Sequence, residues 1–176
     1  NNKNSLKSLE IFLDKKKIIQ KNQTAIVSKI IKNVKKDGDQ AVIKYEKKFS
    51  RIKKKNIKRL FFTSQEINII SKKTNLKIKK SIDLAYNRIK RFHSKQKFSP
   101  FAIKDKYNNV FSYKYSPLEK VGVYVPGGTA SYPSTVLMNC IPAIVAGVKN
   151  IYLTTPSLDS KINPAVIYAA KKCGVK

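Results

Sequence analysis

The residues best suited to chemistry lie in one uncharged stretch, VGVYVPGGTASYPSTVLMNCIPAIVAG, residues 121–147. Tyr124 precedes Pro126-Gly127-Gly128, and three hydroxyls follow at Thr129, Ser131 and Ser134. Glycines without side chains let a ligand approach the backbone. Hydroxyls near a helix N-terminus join free N–H groups that favour an anion. A tyrosine ring at a strand end stacks on, or hydrogen-bonds to, a flat ring. The set therefore suits a planar group carrying an anion, although it is not the G-x-G-x-x-G fingerprint. A Pro-Gly-Gly turn also serves simply to join a strand tightly to a helix. The absence of charge equally fits a buried strand and its covering helix, because buried charge is costly. Spacing alone leaves both readings open.

Other reactive side chains are sparse. His93 is the only histidine and has no acidic cluster near it in sequence, which makes a poor metal site. It reads as a helix-end histidine bonded to backbone. Asp37 and Asp39 flank Gly38 at a helix junction and read as caps, whereas Glu46 and Glu66 are lone helical carboxylates. Cys140 and Cys173 match no metal or disulfide spacing and read as small buried apolar residues. No catalytic or metal-binding residue is assigned.

The elements that must hold this stretch follow from periodicity. In residues 24–35, Ile26, Ile30 and Val34 form an apolar stripe with Val27 and Ile31 beside them, which predicts a helix ended by Gly38. Asp39 is expected to cap a second helix, and Thr63 with Glu66 a third through a capping box. Ile78, Ile82, Ala85, Ile89 and Phe92 give an amphipathic helix over about 76–96. VFSYKY (110–115) predicts a strand. VGVYV (121–125) lacks polar alternation and predicts a strand buried on both faces, as in a parallel sheet. A helix with Pro133 in its first turn and Gly147 past its end, a strand in NIYLTTP (150–156), and a helix capped by Asn163 complete the series. Strand, helix, strand, helix points to a parallel α/β sheet, with a third strand expected at about Val175. The fold class is α/β: a helical N-terminal region, residues 1–100, and the start of a parallel, doubly wound sheet domain, residues 101–176. The chain opens on Asn1 rather than Met and reaches Lys176 with that sheet incomplete, so a fragment of a longer protein is expected.

Composition narrows the class. The formal charge of +28 arises from 34 Lys and 4 Arg against ten acidic residues. Phosphate clamps and base readers favour the planar guanidinium. The lysine excess travels with 21 Ile and 14 Asn, all residues with A/T-rich codons, so genomic base composition accounts for all three. No nucleic-acid partner is therefore assigned, and a basic binding module stands as the alternative from another class. No stretch approaches the roughly 20 apolar residues of a membrane span, and the first residues lack a signal peptide's apolar core. A cytoplasmic location without membrane contact is expected.

A family resemblance adds what spacing does not. PLEKVGVYVPGGTASYPSTVLMNCIPAIVAGVKNIYLTTP resembles histidinol dehydrogenase in the run VG-x-Y-[VI]-PGG-x-A, then PSTVLM, then IPA-x-x-AG. VKKDGDQAVIKYEKKFS (34–50), RIKRFHSKQK (88–97) and NPAVIYAAKKCGV resemble further segments in the same order. Ser50 departs from the family's usual Asp, a difference at a helix end. The likeness covers about residues 24–176 and corresponds to about the N-terminal two-fifths of such an enzyme. It implies the truncated histidinol dehydrogenase, aldehyde dehydrogenase-like fold, with residues 101–176 as the start of a Rossmann-like NAD-binding domain. It also implies a homodimeric, zinc- and NAD-linked oxidoreductase that turns L-histidinol into L-histidine through the aldehyde. Tyr124 matches the family's NAD-contacting tyrosine. The family's Glu-His bases and its zinc ligands, a Gln, two His and an Asp, match nothing in this sequence and are expected beyond residue 176. This piece alone is expected to be inactive. A related zinc- and NAD-linked dehydrogenase of another small alcohol, such as a sulfonated diol, is the alternative within the superfamily.

Overall fold

In the computed structural model the described residues are 2–51, 56–127, 132–157 and 162–176. They divide into two compact units, Asn1–Phe49 with Lys53–Leu60, and Ser50–Ile52 with Phe61–Lys176.

The first unit is helical. Helix α1 spans Asn2–Asp37, far more than the apolar stripe at 24–35 marks out. No glycine or proline interrupts these 36 residues, and lysine and leucine are good helix formers. Gly38 ends the helix at φ +55°, with its N–H on Val34 O at 2.9 Å. Helix α2, Asp39–Phe49, folds back onto α1. Asp39 is its first residue rather than its cap; Gly38 O accepts the N–H groups of Ala41 and Val42 instead. Ala41 is buried, and Asn33 Nδ2 donates to Tyr45 Oη at 2.8 Å across the helix pair. Ile30 and Val34 are half-buried, but Ile26, Val27 and Ile31 remain exposed. Two helices with one short turn at Ile57–Leu60 cover only part of the stripe within this unit.

The second unit carries the candidate stretch. Helix α3, Ser64–Lys72, begins at the expected capping box: Thr63 Oγ1 accepts the Glu66 N–H, and a Glu66 carboxylate oxygen accepts the Thr63 N–H at 2.8 Å. Helix α4, Leu76–Ser94, starts at Asn75, whose side chain accepts the Lys77 N–H. Its apolar stripe is buried only at the centre: Ile82 lies in the core with Ala85 and Ile89 against it, while Ile78 and Phe92 are exposed. Strands β1 (Phe101–Lys104) and β2 (Val110–Tyr113) pair antiparallel around a turn. Asp105 builds that turn by accepting the backbone N–H groups of Tyr107 and Asn109 and the Asn109 side-chain amide. These bonds, the Asn109 side chain foremost, hold its carboxyl below the usual range.

Strands β3 (Lys120–Tyr124) and β4 (Asn150–Thr154) pair in parallel, joined by helix α5 (Pro133–Ala146). Helix α6 (Pro164–Lys172) follows, capped by Asn163 through the Ala165 N–H at 2.8 Å. The ends of both helices match their sequence signals: Pro133 and Pro164 open them, and Gly147 and Gly174 follow them at φ +93° and +66°. Lys176 N–H donates to Ile151 O at 2.9 Å, at the position where a third strand is expected.

The core is the layer between this sheet and the helices. Val136, Leu137, Cys140 and Ile141 of α5 meet Val123 and Val125, Ile151, Ile82 of α4, and Ala165, Val166, Ala169, Ala170 and Cys173 on or just past α6. Fully burying a Leu or Ile contributes about 2–3 kcal/mol, so Leu137 and Ile141 anchor the layer. The alanines of α6 let the helix sit close to its neighbours. The expectation that β3 is buried on both faces does not hold among the described residues. Val121, Val123 and Val125 face the helices, while Lys120, Gly122 and Tyr124 alternate with them and are exposed. Glycine and tyrosine do not read as polar, so the alternation is hidden in the sequence.

Candidate functional site

The carboxyl ends of β3 and β4 lie side by side because the strands are parallel and in register, Tyr124 beside Thr154. Val125 N–H continues the ladder onto Thr154 O at 2.9 Å, and Val125 itself is fully buried. The chain then turns out to solvent at Pro126 and Gly127, both exposed. Tyr124 is 62% exposed, which leaves its ring free to meet a ligand. One firmly anchored residue thus sits between an open aromatic ring and an open turn, at the strand ends where ligands bind in parallel α/β sheets.

Gly127 has a different role from the one its sequence suggests. A Cβ placed there would lie 2.6 Å from Pro156 O and 2.9 Å from Pro156 Cγ. The missing side chain makes room for the loop after β4, and that loop, not a ligand, fills the space. Gly128, Thr129, Ala130 and Ser131 lie outside the described residues. Ser134 is exposed in the first turn of α5, whose N-terminus at Tyr132 has no side-chain cap.

His93 is at the end of α4, as expected, but its partner is a side chain: Nδ1 is 2.6 Å from Gln96 Oε1. Its ring meets Phe92 edge-on. Cys140 and Cys173 are buried, as read from the sequence, but they are also neighbours. The neighbouring Cys173 thiol holds Cys140 below its usual value, and the Cys140 thiol, with burial, pushes Cys173 up. A separation of 33 residues concealed this pair. Among the described residues, no three His, Cys, Asp or Glu side chains converge as a metal site would require.

The sequence reading missed one polar cluster. Tyr168 Oη of α6 donates to the Asp83 carboxylate of α4, at 3.1 and 3.0 Å to its two oxygens, and Lys172 Nζ pairs with Asp83 Oδ1 at 3.0 Å. Burial first, then the Asp83 bond, pushes the Tyr168 hydroxyl up. Asp83 likewise holds the Lys172 ammonium above its usual value. The cluster fastens α4 to α6. An acid followed 85 and 89 residues later by Tyr and Lys leaves no sequence signal.

The sequence model of histidinol dehydrogenase matches residues 13–176. The chain belongs to the histidinol dehydrogenase family. It is 51% identical to the histidinol dehydrogenase of Pelagibacter ubique over 176 residues, 99% of this chain and 40% of that protein. It is 41% identical to the Prochlorococcus marinus subsp. pastoris histidinol dehydrogenase, covering 92% of this chain and 36% of that one. The crystal structure of histidinol dehydrogenase from Elizabethkingia anophelis superposes with a TM-score of 0.79 at 35% identity, covering 87% of this chain and 35% of the other. The chain therefore spans about two-fifths of the length of the relatives it matches. The mixed α/β architecture is that of the histidinol dehydrogenase structure over the shared region. No helix among the described residues is long and apolar enough to cross a membrane.

Proposed function

We infer that this chain is the N-terminal portion of an NAD-linked histidinol dehydrogenase and that Tyr124 contributes to the NAD seat. The observation that carries the reading is the open Tyr124 ring beside the open Pro126–Gly127 turn, at the carboxyl ends of two parallel strands. Stacking of a flat ring on Tyr124 contributes about 0.5–1.5 kcal/mol. The buried Val125 and the Gly127–Pro156 contact fix the loop bases, so the ring is held in place before a ligand arrives.

Bound NAD supplies the hydride acceptor. Taking L-histidinol to L-histidine through the aldehyde would consume one water and release two hydrides and three protons, so two NAD molecules would accept the hydrides per product. Tyr124 orients the cofactor, and the family resemblance puts the proton-transfer groups beyond residue 176. Zinc enters only through the family resemblance. The described residues form no cage for it. The homodimer and the cytoplasmic location belong to the same proposal.

The test compares residues 1–176 alone with a fusion of the same residues to the part of the Pelagibacter ubique relative outside the match. The expected result is histidinol-dependent NADH from the fusion with zinc and NAD, and none from the 176-residue chain. A folded fusion without activity, or NADH from the chain alone, contradicts the reading.

A further inference from the structure

Two thiols meet inside the second unit, and the NAD reading uses neither. Cys140 lies on α5 and is wholly inaccessible; Cys173 follows the last residue of α6 and is 5% exposed. Both belong to one packed layer. On α5, Val136 and Cys140 are four apart; on α6, Val166, Ala169 and Cys173 are spaced three and four, so each cysteine lies on the buried stripe of its helix. The Cys173 N–H is bonded to Ala169 O at 3.0 Å and to Ala170 O at 3.1 Å, which fixes its backbone to the helix end.

A disulfide joins Cα atoms about 4.4–6.8 Å apart. Axes of packed helices are ordinarily about 8–10 Å apart, the distance depending on the side chains at the contact. Ala169 and Ala170, both buried, occupy the turn before Cys173, so no bulky side chain holds the end of α6 away from α5. The mutual effect of the two thiols on their acidities fits the same closeness. Among the described residues no third His, Cys, Asp or Glu joins them, which leaves the pair short of a zinc site's four ligands. Two adjacent thiols can instead lose two electrons together.

We propose that Cys140 and Cys173 close to a reversible disulfide under a peroxide oxidant, and that the bond locks α5 to the end of α6. The Cys140 thiolate attacks one peroxide oxygen, the O–O bond breaks, and the departing hydroxide takes up the proton Cys140 released. The Cys173 sulfur then attacks the resulting sulfenic sulfur, and its proton leaves with that hydroxyl as water. Two thiols and one peroxide give one disulfide and two waters: the sulfurs lose two electrons and the peroxide gains them. Access is by opening of the helix end, where local unfolding costs least. Lys171, Lys172 and Gly174 around Cys173 are exposed there. The bond closes a loop containing β4 and so restricts the unfolded chain. Nothing in this proposal depends on the NAD seat, so either can fail alone.

The experiment treats the dilute 176-residue chain with hydrogen peroxide, unfolds it in urea, adds iodoacetamide and reads the intact mass. The expected product is a monomer lacking two hydrogens and taking no label. Its tryptic digest should contain the Cys140 peptide joined to the Cys173 peptide, and dithiothreitol should restore two labelled thiols. Two free thiols after peroxide, a bond only between chains, or sulfur that has gained oxygen instead would each overturn the proposal. Urea unfolding of the oxidised and reduced chains tests the lock. The unfolding equilibrium constant should be about 30-fold smaller in the oxidised chain. An unchanged constant in the cross-linked chain overturns the lock. In Cys140→Ala the peroxide-induced change should vanish; a change that persists there overturns its assignment to this bond.

Discussion

The second unit contains two two-stranded sheets held in opposite ways. The β3–β4 pair rests on a packed layer in which Val125, Val136, Cys140 and Ile141 are wholly inaccessible. Every residue of the β1–β2 pair is exposed. A lone hairpin is marginal in water. This one is held by the Asp105 turn and by ring contacts: Phe101 meets Tyr113 edge-on at 4.2 Å, and Tyr115 meets Phe98 at 4.8 Å. Short strands can therefore be fixed by burial or by local bonds. Only the buried pair sets an exposed ring, Tyr124, next to a wholly buried strand residue, Val125.

Substitutions separate the two regimes. Leu137→Ala should have the largest effect, about 3 kcal/mol in urea unfolding, from lost transfer energy plus a cavity. A loss under about 1 kcal/mol would mean the layer is not close-packed. Gly127→Ala should cost about 2 kcal/mol, since the new methyl meets a backbone oxygen that moves only with its loop. Gly122→Ala should stay within about 0.5 kcal/mol in the 176-residue chain, because the space above it is open. Equal effects at the two glycines would remove the contrast between the Pro156 contact and the bare face.

The α4–α6 cluster adds a pH test. Tyr168 and Lys172 both titrate higher in the folded state than unfolded. Their contribution is present below their unfolded pKa values, near pH 10, and is lost as pH rises through the folded ones. Melting temperature should fall at alkaline pH, and Tyr168→Phe should flatten part of that fall. The partners are substantially solvated, so the effect at neutral pH stays under about 1 kcal/mol. An unchanged alkaline slope in Tyr168→Phe would exclude the cluster as its source. An effect as small is expected in the hairpin: Phe111→Ala should shift global stability by no more than about 0.5 kcal/mol. A larger loss would show that the hairpin is packed against something.

What the sequence made legible was local. The Thr63–Glu66 capping box, Pro133 and Gly147 around α5, and Asn163 before α6 act within a few residues, and each is where it was expected. Strand β1 escaped because FAIK is four residues long and is defined by a partner beyond a turn. The one-sided burial of β3 escaped because Gly122 and Tyr124 look as apolar as their buried neighbours. At the site, the position of Tyr124 at a strand end was legible, while the use of Gly127 was not. A glycine reads the same whether it makes room for a ligand or for Pro156. The Cys140–Cys173 and Asp83–Tyr168–Lys172 contacts are products of tertiary packing and leave no pattern in the chain.

The most direct test of the nucleotide seat is calorimetric titration of NAD into the fusion protein with Tyr124 intact, as Tyr124→Phe and as Tyr124→Ala. Loss of about 1.4 kcal/mol of stacking predicts a Kd about tenfold weaker for Tyr124→Ala, with Tyr124→Phe close to the parent. An unchanged Kd in folded Tyr124→Ala would contradict the assignment of this strand end to the cofactor.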